Sequence, residues 1–497
     1  MDRMFVDDFF GGHWIDSTSK RREAGSQRLA DPRLMEVHVA LLSGQSVAIW
    51  VLPDDTVNKL RLQAQAALAV GLAGLVTQSG ELLKGLATLQ ECQLQHGDMV
   101  HATVRMATLA STRQSMAFAL MRSDGSVVTW GPTDRGGDSS EVQHQLRDVE
   151  RIVATGGAFA AVRADRRVVT WGESTMGGNC SAVAMQLQDV VAVRGTVHAF
   201  AALTGGGRVI TWGRDEAGGN LGVVAAVHST ITRTKVRDVV ATDYAFAAVL
   251  CDGTVQAWGG PEFGGHCPWG RSDKELQGVK SLHATSRAFA ALKEDGTVVA
   301  WGDRTAGGDA RLVRPRLQGV VQIQGSDYAF AAILADGGVV TWGCERAGGD
   351  STAVQEQLKD VRSIAATEAA FAAIRGDGSV VTWGNELSGG DSSHVQQQLE
   401  DVANITGSVA AFAAILENGK VVTWGDPYSG GKIPDTVQSQ LDASFAQQVQ
   451  ASRQAFAAIL ANGTVVSWGH PLQGGNSSMV APELQNVHQV ALQEADF

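Results

Sequence analysis

A chain of 497 residues, 44% of them hydrophobic and 19% charged, can bury cores in more than one domain. Its formal net charge of -12 disfavours non-specific nucleic-acid binding, which needs clustered Lys and Arg against phosphate. Five scattered cysteines, Cys92, Cys180, Cys251, Cys267 and Cys344, form no C-x-x-C pair and no zinc-ligand spacing, as expected in a reducing compartment. The N-terminal stretch MDRMFVDDFFGGHW has no signal-peptide core, and the longest apolar run, Ala66 to Val76, is too short to span a bilayer. The expectation is a protein of the cytoplasm or nucleus, with no membrane, nucleic-acid, metal or cofactor site.

Residues 1–34, with the basic run Lys20-Arg21-Arg22, read as a flexible leader. From Met35 the pattern is strand, Ser43-Gly44 turn, strand, and then Pro53-Asp54-Asp55-Thr56 leading into a helix over 56–69. Gly80-Glu81-Leu82-Leu83 reads as turn and strand, and His96 to Val104 as turn and final strand. Over 35–106 this pattern resembles ubiquitin, which implies a small α+β domain of the β-grasp type. The positions of ubiquitin's receptor-binding patch fall on Leu42, Thr77, His101 and Thr103, two of them polar. No Gly-Gly follows Val104-Arg105-Met106, and the domain holds only Lys59 and Lys84. The resemblance therefore implies an integral docking domain, with ubiquitin-ligase or proteasome subunits as partners, and not a conjugated modifier.

Residues 107–497 repeat. A Phe and a Trp-Gly stand twelve residues apart nine times, from Phe118/Trp130 to Phe456/Trp468, and successive tryptophans are 41, 41, 46, 43, 41, 41, 41 and 44 residues apart. One copy, AFAAILADGGVVTWG at 329–343, is two apolar runs joined by a turn, the pattern of a β-hairpin. Asp-Gly or Asn-Gly fills the turn in seven of nine copies; Asp165-Arg166 and Gly205-Gly206 depart from it. An upstream segment such as Val361 to Ala365 supplies a third strand. Neither hairpin strand alternates with polar residues, so both faces must be covered, and the small alanines let neighbouring sheets approach. Gly-Gly follows each Trp by six residues, then a polar stretch such as DSSHVQQQL at 391–399, read as a turn and a capped helical turn.

The expectation is a mostly β chain: a β-propeller of about nine 41-residue repeats, with a seven-bladed ring plus two repeats, or an open arc, as alternatives. Residues 486–497 match the opening of a tenth repeat and are candidates for the strand that pairs with the first hairpin. The hairpin, Trp-Gly and Gly-Gly resemble the regulator of chromosome condensation repeat superfamily, nearest its short-repeat branch. Members serve as exchange factors, inhibitors, photoreceptors and ubiquitin-ligase modules, so the resemblance implies a fold more firmly than a function.

No catalytic constellation is legible: there is no G-x-S-x-G, no phosphate loop, and no room after the last Gly-Gly for a large ligase lobe. Nine of twelve tryptophans hold the repeat position, where core packing is expected, and the photoreceptor's Gly-Trp-Arg-His-Thr run is absent. One stretch breaks the repeat: HCPWGRSDK after Gly264-Gly265 places His266, Trp269 and Arg271 where a polar cap is expected, a candidate partner site. The reading is a non-catalytic interaction adaptor whose propeller binds a client while the ubiquitin-like domain docks to ubiquitin or proteasome machinery. The alternatives are a ubiquitin-ligase component or guanine-nucleotide exchange factor, and a purely structural scaffold.

Overall fold

The computed structural model describes residues 31–221, 234–267 and 274–488. Strand β1 (Met35–Leu41) turns through Gly44, at φ +90°, into antiparallel β2 (Ser46–Val51). Thr56 then caps α1 (Val57–Leu68), its hydroxyl accepting from the Lys59 amide at 3.3 Å. With β3 (Leu72–Val76) and β4 (Met99–Val104) these strands form one sheet in the order β2-β1-β4-β3, with β1 and β4 parallel. Val37, Val39, Leu60, Ala64, Leu72, Leu75 and Val100 fill the space between helix and sheet. The strand expected at 80–83 is not formed: Leu82 makes a single bridge to Val76, and the backbone moves off into turns.

From Thr108 onward the described residues hold nine three-stranded antiparallel sheets, each named here by the order of its Trp. In the sixth, Val320–Gly325, Ala329–Leu334 and Val339–Gly343 pair in sequence order, and Phe330 stands directly opposite Trp342. The same cross-strand pair recurs in all nine sheets, the rings stacked with centroids 5.1–5.5 Å apart. Each such pair is buried against alanines of the preceding sheet, which are short enough to let the two layers close.

The repeat's fixed residues tie each sheet to its predecessor. Every indole N–H donates to the carbonyl of the first glycine in the preceding Gly-Gly, from Trp171 to Gly136 through Trp468 to Gly430, at 2.9–3.2 Å. That glycine has φ near +90°, and a Cβ on Gly136 would lie 2.6 Å from the Phe159 ring of the next sheet. The second glycine is excluded from change for a different reason: a Cβ on Gly137 would lie 2.3 Å from the Gly131 carbonyl oxygen.

Trp130 of the first sheet makes the same bond to Gly474, 344 residues away, and the first and ninth sheets share a core of Leu109, Phe118, Ala457, Ile459 and Val487. The sheets thus run in a closed circuit, an arrangement consistent with a β-propeller and inconsistent with an open arc.

The turns add three details to the sequence reading. In the hairpin turns only the glycine takes positive φ; the preceding Asp instead accepts the amide two residues on, as Asp336 does from Gly338 at 2.9 Å. Arg166 replaces that glycine at φ +58°. The helical turns expected to be capped are short 3-10 segments, except α2 (Asp435–Ala443) after the eighth sheet, and their N-cap side chains make no cap bond; the residue before accepts instead, as Asp350 does from the Thr352 amide at 2.9 Å.

The first hairpin takes its partner from its own upstream segment, Thr108–Ala110, and not from the C-terminal tail. The tail still contributes, because its residues to 488 continue the repeat. Asn486 is left-handed like Asp148, Asp189, Asp360 and Asp401, and the buried Val487 donates to Gly463 as Val149 does to Gly125. Residues 489–497 lie outside the described region.

Candidate interaction surfaces

The β1–β4 module does not hang from a tether. The side of α1 away from its own core meets the first and second sheets, where Gln65 donates to the Asp124 carbonyl at 3.3 Å and Asn58 to Ala164 at 3.2 Å. At the centre, Arg61 and Arg105, both buried, converge on one carboxylate, Asp148. Arg61 also donates to the Leu72 carbonyl at 2.8 Å and Arg105 to Val149 at 3.0 Å. Burial and the neighbouring Arg61 charge pull the Arg105 guanidinium below its ordinary pKa, and Asp148 opposes both.

Of the residues marked on this module, Thr77, His101 and Thr103 gather near the β3/β4 ladder, where Val76 pairs with His101. Thr103 donates to the Gly74 carbonyl at 3.2 Å, and Thr77 is tied to Ser79 and the Glu81 amide. Leu42, at the β1–β2 turn, is 93% exposed. Thr77 and Thr103 therefore have their hydroxyls engaged, His101 is half-buried with its Nδ1 covered and unpaired, and Leu42 projects as the clear apolar contact. Of the rim candidates, His266 is exposed, whereas Trp269 and Arg271 lie outside the described residues.

The ring presents two surfaces that sequence reasoning missed. At one end, the amide three residues before each Phe donates to the carbonyl of its equivalent in the next sheet, running 156→197→243→286→327→368→409→453→115. The belt breaks only between Ser115 and Gly156, where the segment from Leu109 to Phe118 is two residues longer than its counterpart, Ile152 to Phe159. That longer loop reaches across the ring end. Arg113 donates to the Thr367 carbonyl and lies 3.4 Å from Asp327, while Gln114 donates to Asp243 at 2.8 Å. Desolvation, with the Asp327 charge beside it, pushes Asp243 up to about 7 against the pull of Arg113. Glu368 is raised for the same reasons. The signal was present in the repeats: the position holds Gly156 and Val197 in two copies and acidic residues in Asp243, Asp327 and Glu368.

On the same end lie the 3-10 turns that follow each Trp-Gly. Their middle residue is Leu387, Tyr428 and Leu472 in the seventh to ninth sheets, 81%, 77% and 74% exposed. Elsewhere it is polar, as in Asp134, Thr175, Glu216, Glu262, Thr305 and Arg346. Across the ring a second cluster joins His198, Tyr244 and Phe263, with ring centroids 5.0 and 4.6 Å apart, and Arg287 lies 5.0 Å above the Phe263 ring. Among the described residues no group of three His, Cys, Asp or Glu side chains could hold a metal ion, and no helix is long and apolar enough to cross a membrane.

No family model and no curated protein matches the sequence. Among solved structures, yeast RCC1 (Prp20) bound to Kap60 is 17% identical over 54% of this chain and 79% of its own, with a TM-score of 0.34. Prp20p from Saccharomyces cerevisiae, described with its binding properties to Gsp1p and histones, is 18% identical over 54% and 81%, TM-score 0.35. A design based on ubiquitin is 20% identical over 14% of this chain and 89% of its own, TM-score 0.14. Likenesses at this level assign neither a family nor an activity.

Proposed function

We propose that this chain is a non-catalytic interaction adaptor, a short-repeat ring of the regulator of chromosome condensation type carrying a ubiquitin-like module. In this reading the ring end with Leu387, Tyr428 and Leu472 binds a client protein, while the module, through Leu42 and the His101 surface, docks to ubiquitin-ligase or proteasome subunits in the cytoplasm or nucleus. One observation carries it: the invariant polar groups are consumed in tying sheet to sheet, while large apolar side chains stand exposed at equivalent positions of three consecutive sheets. Fixed residues build the frame and variable ones address a partner.

The test is affinity capture from native lysate with the full chain. Leu387→Asp with Leu472→Asp should lose the client and keep module partners; Leu42→Ala with His101→Ala should do the reverse. Equal recovery by all three proteins would sink the adaptor reading. Acceleration of nucleotide release from a small GTPase would replace it with an exchange factor.

A further inference from the structure

The segment after the fifth sheet departs from its equivalents in charge and in chemistry. Between three and sixteen residues after Trp301, the stretch RTAGGDARLVRPRL at 304–317 carries four arginines against Asp309, a formal charge of +3. The matching segments at 133–146, 174–187, 345–358, 386–399 and 471–484 carry -2, 0, -2, -2 and -1. A local positive patch on a chain of net charge -12 is not compositional drift.

The reason is visible in the packing. In the first, sixth and seventh sheets this segment is pinned by a side-chain chain. Thr341 meets Ser351 at 3.0 Å, Ser351 meets Gln355 at 3.1 Å, and Gln355 donates to the Val339 carbonyl at 3.0 Å, covering the outer strand edge. In the fifth sheet those three positions are Ala300, Ala310 and Arg314, so the chain of bonds is absent. Arg314 turns outward to Glu275 at 2.9 Å. Arg311 pairs with Asp309, Arg316 is exposed, and Leu312 between them is 98% exposed. The Arg311 hydrogen bonds, helped by the nearby Arg304 charge, hold the Asp309 carboxyl down at about 2. The Arg pairs are solvent-exposed and worth little, so a competing carboxylate can take them over at small cost.

We propose that this outer edge, formed by Arg304, Arg311, Leu312, Arg314 and Arg316, docks an acidic protein segment that carries an apolar side chain. Guanidinium forks bind carboxylates in two-point fashion, and Leu312 offers the apolar contact. A nucleic acid would leave Leu312 unused and would be repelled by the rest of the chain. The proposal rests on the interaction reading above but uses a different surface, so the two fail separately.

The experiment is fluorescence anisotropy of the full chain with a labelled oligoglutamate peptide containing a central leucine. Arg311→Glu with Arg316→Glu should weaken binding at least about tenfold, and raised salt should weaken the wild type severalfold. Leu312→Ser should weaken it without changing the salt dependence, and Arg208→Glu, an exposed reversal elsewhere, should leave it unchanged. The assignment is overturned if reversal at 311 and 316 has no effect. It is equally overturned if single-stranded DNA of the same length binds as tightly, or if the variant's only change is loss of self-association in light scattering. If peptide binding is absent while Leu387 and Leu472 still govern client capture, only this site falls.

Discussion

A glycine that a neighbouring ring forbids to change is the smallest unit of this architecture. A Cβ on Gly348 would sit 2.5 Å from the Phe371 ring and requires φ +89°, so Gly348→Ala meets a steric and a conformational penalty together. Gly80 has nearly the same φ, +86°, with nothing within 4 Å of the added carbon. Denaturant unfolding should show Gly80→Ala costing about 1–2 kcal/mol, the left-handed penalty alone, and Gly348→Ala clearly more. Asp243 provides a pH-dependent counterpart. Its folded pKa lies above its unfolded one, so the folded state holds the extra proton and stability falls as pH rises from about 4 through about 7. Asp243→Asn keeps an acceptor for Gln114 but cannot ionise. It should flatten that decline and raise stability at pH 8 by at least about 1 kcal/mol, as read from melting curves across the range.

At the level of elements, legibility tracks how local the governing contact is. The hairpins are plain in the sequence because Phe, turn glycine and Trp act within fifteen residues of one another. The strand expected at 80–83 fails because Leu82 bridges only once to Val76. The docking of the module onto the ring was illegible for a definite reason: Asp148 occupies the same left-handed position as Asp189, Asp360 and Asp401. Only partners from another part of the chain, Arg61 and Arg105, distinguish it. Asp148→Ala would leave two buried guanidiniums without their carboxylate, and the expected loss is about 3–5 kcal/mol. Hydrogen exchange should then report early opening of α1, whereas the remote Asp401→Ala should leave that helix protected.

For the whole molecule, the frame was readable and the surface departures from it were not. Period, sheet composition and the importance of Gly-Gly follow from repetition, because identical interfaces must solve identical packing problems. The exposed row Leu387, Tyr428, Leu472 and the arginines of 304–316 are departures from that repetition, and a departure acquires meaning only once its place on the surface is known. Closure itself is testable. Trp130 reaches Gly474 through the same bond that Trp383 makes to Gly348. In a closed circuit Trp130→Phe and Trp383→Phe should cost the same, about 1–3 kcal/mol for an orphaned carbonyl and a smaller ring. Were the circuit open in solution, Trp130→Phe would cost clearly less than Trp383→Phe in equilibrium unfolding.

Around the circuit the indole bonds point from each sheet to the one before, and the amide belt points from each sheet to the one after. Every junction is therefore head-to-tail, and the one where the ring's two ends meet carries both bonds; only the first-to-second junction lacks the amide bond. The junction bonds by themselves therefore do not dictate which sheet comes first. Circular permutation with new ends in the 3-10 segment after another Trp should be tolerated, which cooperative unfolding of the permuted chain would show.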